Sequence, residues 1–232
     1  NVWFRSPDQE AWALQDFSLE IRPGEKLALV GENGAGKTTL IKLLTRLYEP
    51  TQGSIMLRGV DLKYFSLEEL HRRVGAIFQD FVRYHLTMRE NIGFGAVEHL
   101  EEQTLIEDAA KKSGAHELAQ TLPKKYETQL GRWFEEGHEL SSGQWQKIAL
   151  GRAFMRQGEV LVLDEPTSSL DAGAEYEVFQ RFKRLTEGRI AILVSHRFST
   201  VRMADRIAVL KGGKLEELGS PAELIARGGR YA

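Results

Sequence analysis

Lys26-Leu27-Ala28-Leu29-Val30, Gly75-Ala76-Ile77-Phe78-Gln79, Val160 to Leu163 and Ile190 to Val194 are short apolar runs, the pattern of buried strands. Around them lie helical patterns. Leu40 to Leu47 has apolar residues at helical spacing, Ser66-Leu67-Glu68-Glu69 offers an N-cap for a helix to about Arg73, and Ala174 to Thr186 reads as another helix. The first thirty residues read as β: Val2 to Arg5, Asp16 to Ile21, a turn at Arg22-Pro23-Gly24-Glu25, then the first buried run. Pro50-Thr51-Gln52-Gly53 predicts a turn, Ser54 to Leu57 a strand, and Arg58-Gly59-Val60-Asp61 a second turn. From Thr87 to about Gln157 the strand signal lapses, and helices are expected at Glu101 to Ser113, His116 to Leu122 and Ser142 to Gln157. Toward the end come a helical turn at Thr200 to Ala204, a hairpin of Arg206 to Leu210 and Leu215 to Leu218 around Gly212-Gly213, and a helix from Pro221 to Ala226.

Repeating strand–helix units imply an α/β fold with a mostly parallel sheet, covered on both faces, that binds ligands at the carboxyl ends of its strands. An antiparallel β part at the N-terminus and a helical insertion complete the expected architecture. The expected division is 1–86 with 158–232 as the core and 87–157 as the helical subdomain. Composition narrows the chemistry. Thirty-one basic and 33 acidic residues in 232 leave a net charge of −2, giving no support to a nucleic-acid coat or a polybasic membrane patch. The absence of cysteine excludes disulfides, thiolate catalysis and Cys-based metal sites. No apolar run approaches the roughly 20 residues of a membrane-spanning helix. The chain opens inside a strand-like segment, so the reading is of a domain excised from something longer.

Gly31-Glu32-Asn33-Gly34-Ala35-Gly36-Lys37-Thr38-Thr39 fits the phosphate-binding pattern G-x-x-x-x-G-K-[ST]. Backbone N–H groups converge on a phosphate only where no Cβ blocks the approach, which is what glycine provides. A strand before the loop and a helix after it supply the right context, because the helix N-terminus adds its own field. Lys37 is then the charge for the β- and γ-phosphates, and the Thr38 hydroxyl a ligand for Mg²⁺. Glu159-Val160-Leu161-Val162-Leu163-Asp164-Glu165-Pro166 is a second signal: an apolar strand that delivers two carboxylates to the sheet edge. Asp164 would hold Mg²⁺, usually through water. Glu165 would polarise a water for in-line attack. Together these predict a P-loop NTPase core that holds a triphosphate with Mg²⁺.

Leu140-Ser141-Ser142-Gly143-Gln144-Trp145-Gln146-Lys147 opens a helix and offers a second anion-binding end, one more than a single γ-phosphate needs. It closely resembles the LSGGQ signature of ABC (ATP-binding cassette) ATPases. The resemblance spans essentially the whole chain. It implies that two cassettes pair head to tail, so that Ser141, Gly143 and Gln144 of one copy complete the ATP site of another. It further implies that Gln79 is the Q-loop glutamine contacting Mg²⁺ and the attacking water, Ser169-Leu170-Asp171 the D-loop, and His196 the switch histidine at the γ-phosphate. Ser195-His196-Arg197-Phe198-Ser199-Thr200-Val201 and the ending from Gly219 to Tyr231 look like exporter cassettes. That implies a membrane domain on the same polypeptide, a place on the cytoplasmic face of the membrane, and docking through Phe78 to Phe81 with Tyr84 and His85. Two rival readings are a stand-alone soluble ABC-type ATPase and a nucleotide-switched scaffold without turnover.

Three positions depart from the exporter pattern. Ser6, in Phe4-Arg5-Ser6-Pro7, stands where an aromatic usually stacks on adenine, at a loss of order 1 kcal/mol. Trp3 or Trp12 either substitutes or packs in the core or against the membrane domain. Ser142 replaces a signature glycine, and Thr128 to Gly137 only loosely follows the exporters' TxVGExG loop.

Overall fold

The computed structural model describes residues 1–7, 9–133, 136–156, 158–165, 180–183, 186–195 and 201–231. Two compact units divide them: Asn1–Ala76 with Gly158–Glu165 and the described residues from Gly188 onward, and Ile77 to Arg156 with the described residues among 166–187.

The first unit is built on a six-stranded sheet. Strands β3 (Lys26–Gly31), β7 (Val160–Asp164), β8 (Ile190–Val194) and β9 (Arg206–Lys211) form its parallel centre, where β3 lies between β8 and β9, and β7 pairs with β8. β10 (Lys214–Gly219) pairs antiparallel with β9, and β6 (Val74–Ile77) closes the far edge beside β7. Leu27, Ala28 and Leu29 are fully buried, as are Val162 and Leu163. Apolar side chains pointing both ways need both faces covered, each buried Leu or Val contributing about 1.5–3 kcal/mol. Helix α1 (Lys37–Leu44) contacts β3 and β7. Elsewhere Ala28 and Val209 pack with Val201, Ala204 and Leu224, the last carried by the closing helix of residues Pro221–Arg227, whose Ser220 and Glu223 make a capping box. Helix α2 (Leu67–Arg73) starts, as expected, at Ser66, whose hydroxyl accepts the Glu69 N–H at 3.1 Å.

The antiparallel part differs in detail from expectation. β1 (Val2–Phe4) pairs with β2 (Leu14–Phe17), which overlaps the strand expected at Asp16 to Ile21 only at Asp16 and Phe17, because the ladder ends at Val2↔Phe17. Residues 60 and 61 are not turn. Arg58 and Gly59 alone turn the chain, at φ 51 and 78, so β4 (Met56–Leu57) and β5 (Val60–Asp61) form a tight hairpin.

The second unit is helical: α3 (Met88–Gly93), α4 (Gln103–Ser113), α5 (Ala115–Thr121) and α6 (Ser142–Met155). Gly114 separates α4 from α5 at φ 76. α3 was not expected, although the Thr87–Glu90 capping box that starts it is readable in sequence. This unit begins at Ile77, upstream of the expected 87. Carbonyls of Val82, His85 and Leu86 accept bonds from Arg152, Gln129 and Leu130, which tie that stretch to the helices. The expected helix over 174–186 lies largely outside the described residues, whereas the expected turn ending at Ala204 is described from Val201 onward, the Ala204 N–H donating to Val201 O at 3.2 Å.

Candidate nucleotide site

At the carboxyl end of β3 the chain turns through the glycine loop into α1. Gly31, Gly34 and Gly36 stand at φ 155, 80 and 102, conformations a side chain resists. Two of them are also forced by close packing. A Cβ on Gly31 would lie 2.3 Å from the Leu210 carbonyl, and one on Gly36 would lie 2.7 Å from both the Ala13 carbonyl and the Leu14 side chain. Gly34 faces open space. The Ala35 N–H donates to Glu32 O at 3.1 Å, and Gly213 N–H to Ala35 O at 3.3 Å, so the β9–β10 turn buttresses the loop.

Gly36 is the N-cap of α1 and supplies no side-chain acceptor, so the first helical N–H groups keep their donor capacity toward the loop. Asn33 is exposed and Thr39 half-buried. The Lys37 ammonium donates to the carbonyls of Gly31 at 2.7 Å and Glu32 at 3.0 Å, arching across the loop. The Thr38 hydroxyl donates to Asp164 Oδ2 at 3.2 Å. Asp164 is only 4% exposed, at the end of a strand buried along its length. The sheet thus joins two segments 126 residues apart into one oxygen-rich corner.

Glu165 follows at φ 48, a left-handed conformation that costs a non-glycine residue about 1–3 kcal/mol and that clusters at active sites. Its N–H donates to Val194 O at 2.9 Å, continuing the β7–β8 ladder one residue past the strand while the chain bends away. Sequence reading placed the carboxylate here, but nothing in the residue type announced the strain.

The expected signature residues and Gln79 belong to the helical unit. Ser141 caps α6: its hydroxyl accepts the Gln144 N–H at 3.3 Å, and the Gln144 side chain accepts the Ser141 N–H at 2.8 Å. Ser141 and Gln144 therefore first define a helix start. The Ser141 hydroxyl hydrogen and the N–H groups of Ser142 and Gly143 remain the donors of that tip. Ser142 is exposed and Gly143 half-buried. Gln79 is exposed in the turn after β6. Tyr84 meets Phe94 edge-on at 5.4 Å and His85 stacks on Trp133 at 4.8 Å, so both rings are already engaged inside their own unit. Trp12 meets Trp3 edge-on at 5.3 Å and carries the Arg5 guanidinium 5.1 Å above its ring. His196 and Ser169-Leu170-Asp171 lie outside the described residues.

A glycine arch, a lysine across it and a threonine–aspartate corner are shared by many nucleotide-binding proteins, and comparison decides among them. The family described as ABC transporter matches residues 14–168. The chain belongs to the ABC transporter family. Similar proteins include the subtilin transport ATP-binding protein SpaT of Bacillus subtilis, 41% identical over 97% of this chain and 37% of its own length. The nisin transport ATP-binding protein NisT of Lactococcus lactis subsp. lactis is 40% identical over 98% of this chain and 38% of its own. The ATP-dependent lipid A-core flippase of Methylobacillus flagellatus is 39% identical over 100% and 39%. Among solved structures, a bacterial Atm1-family ABC exporter with ATP bound superposes with a TM-score of 0.91 at 33% identity, covering 100% of this chain and 39% of that one. This ABC domain therefore spans well under half the length of these relatives. Among the described residues no helix is long and apolar enough to cross a membrane.

Proposed function

We propose that this ABC domain binds ATP with Mg²⁺, hydrolyses it to ADP and phosphate, and serves as the motor of an exporter. The observation that carries the reading is the Thr38–Asp164 contact at the mouth of the glycine loop. The Thr38 hydroxyl and the buried Asp164 carboxylate, 3.2 Å apart, are hard oxygens of the kind Mg²⁺ takes, and would hold it there, Thr38 as a ligand and Asp164 usually through water. An ion held there would supply charge neutralisation for the β- and γ-phosphates.

The remaining chemistry belongs to the chain. Lys37 exchanges its two loop carbonyls for phosphate oxygens, and the N-terminal amides of α1 bind the same group. Glu165 orients a water and takes its proton as the oxygen attacks the γ-phosphorus and the bond to the bridging oxygen breaks, with Gln79 and His196 contacting the water and the γ-phosphate. Ser141, Gly143 and Gln144 of a second copy complete each site. The names of the relatives favour export over a stand-alone soluble ATPase, and imply a membrane domain as partner, on the same polypeptide, with this domain at the cytoplasmic face. No nucleic acid enters the scheme.

A steady-state ATPase assay with a calorimetric titration tests it. Lys37→Ala should abolish turnover and weaken ATP binding at least about tenfold, the loss of a charge-assisted contact. Unchanged binding would remove the phosphate-loop assignment, and a wild-type chain without turnover would favour the scaffold.

A further inference from the structure

Arg152, near the end of α6, is a cation that the chemistry above does not use. It donates from Nε to Asn91 O at 2.7 Å, from Nη1 to Val82 O at 2.5 Å and from Nη2 to Asn91 Oδ1 at 2.5 Å. The Tyr84 ring lies 4.7 Å from its guanidinium carbon. No carboxylate among the described residues pairs with it, so its charge is met by neutral oxygens and a ring. Burial pushes its pKa down to about 10, against a small opposing effect of Tyr84. Such a cation is expensive unless its position matters.

Its contacts converge on one segment. Asn91 is fully buried, and its amide donates to the carbonyls of Tyr84, Leu86 and Thr87 at 3.0, 3.3 and 3.0 Å. The backbones also press together: a Cβ on Gly95 would lie 1.9 Å from Arg152 O. Arg152 and Asn91 thus pin the stretch after Gln79 to one end of α6. The other end of α6, about 15 Å away at 1.5 Å per residue, is the Ser141–Gln144 tip.

We propose that Arg152 is a positioning residue of the ATPase, which clamps the Val82–Thr87 stretch to α6 and thereby sets where the Ser141–Gln144 tip stands when it meets the triphosphate of another copy. The proposal rests on the head-to-tail reading above. A continuous helix transmits displacement along its length, and a misplacement of about 1 Å at a reacting site costs on the order of a hundredfold in rate.

The test uses the intact protein and mixed pairs. Arg152→Gln alone should bind a fluorescent ATP analogue within about twofold of wild type yet turn over at least about tenfold slower, and Arg152→Lys should restore part of that rate. Mixed with a Lys37→Ala copy, Arg152→Gln should regain turnover, because its own phosphate loop then meets the partner copy's undisturbed tip. A variant that merely loosened the fold would spoil both roles and regain nothing. Gly143→Asp mixed with Lys37→Ala is the control. Recovery in the control but not with Arg152→Gln overturns the role of Arg152, as does wild-type turnover by Arg152→Gln alone. Recovery in neither overturns the head-to-tail reading and the proposal with it. If Arg152→Gln does not fold, Arg152→Lys enters the same mixture, with the same outcomes.

Discussion

Glu165 combines a catalytic assignment with a backbone that resists its side chain, and two substitutions separate them. Glu165→Ala and Glu165→Gly both remove the carboxylate, but alanine keeps the Cβ at φ 48. The left-handed conformation costs an L-residue about 1–2 kcal/mol and costs glycine almost nothing. Against this, glycine loses about 0.5–1 kcal/mol more chain entropy on folding than alanine does. The glycine variant should therefore be the more stable by roughly 0.5–1 kcal/mol, or about 1–4 °C in melting temperature for a chain of this size. At a residue with ordinary φ the order would be reversed. Both variants should lose on the order of a hundredfold or more in kcat, the usual contribution of a general base. Calorimetric melting of nucleotide-free protein, run beside a steady-state ATPase assay, reads both effects. If the alanine variant melts at or above the glycine variant, Glu165 is not held in a strained turn and strain plays no part in delivering it. If either variant keeps near wild-type turnover, the base lies elsewhere.

Other perturbations reach different parts of the structure. Gly34→Ala should lower stability by only about 0.5–1 kcal/mol, the left-handed cost less the chain entropy that alanine saves, whereas Gly36→Ala should cost more because its Cβ meets the Ala13 backbone; equal losses in denaturant unfolding would contradict the packing at Gly36. Ser6→Tyr should tighten ATP by about fivefold, the equivalent of one aromatic contact near 1 kcal/mol, and an unchanged titration would mean that the base is bound away from Ser6. Bonds from the Thr87 hydroxyl and N–H hold the Glu90 carboxyl below its usual 4.5. A depressed pKa stabilises the fold above the unfolded value and stops doing so as pH falls through the folded one. Glu90→Gln should therefore unfold at lower denaturant than wild type at about pH 7, with the gap shrinking as pH falls below 4.5, and a gap undiminished in acid would refute the cap assignment.

Much of the site was legible because its chemistry is local in sequence. The glycine loop needs glycines at fixed offsets before a helix, and Asp164 and Glu165 need only an apolar strand ahead of them. What was hidden depends on partners far along the chain. Whether Gly31 or Gly34 is packed shut is decided by Leu210, which no local pattern reveals. The extent of β2 is set by where β1 runs out, and the pairing of Val60–Asp61 by the left-handed φ of Arg58, a residue type with no preference for it. Arg152 reads in sequence as an ordinary helical cation, and its three acceptors lie 61 and 70 residues away. Local rules find the donors and acids. Tertiary packing decides how tightly each is held.

The central claim is that one copy's serine–glycine helix tip completes the triphosphate site of another. Sedimentation of Glu165→Gln protein, at concentrations far above its ATP affinity, addresses it directly. With ATP and Mg²⁺ the protein should sediment as a dimer, and without nucleotide, or with Gly143→Asp added, as a monomer. A species that stays monomeric with both ligands bound would contradict the account.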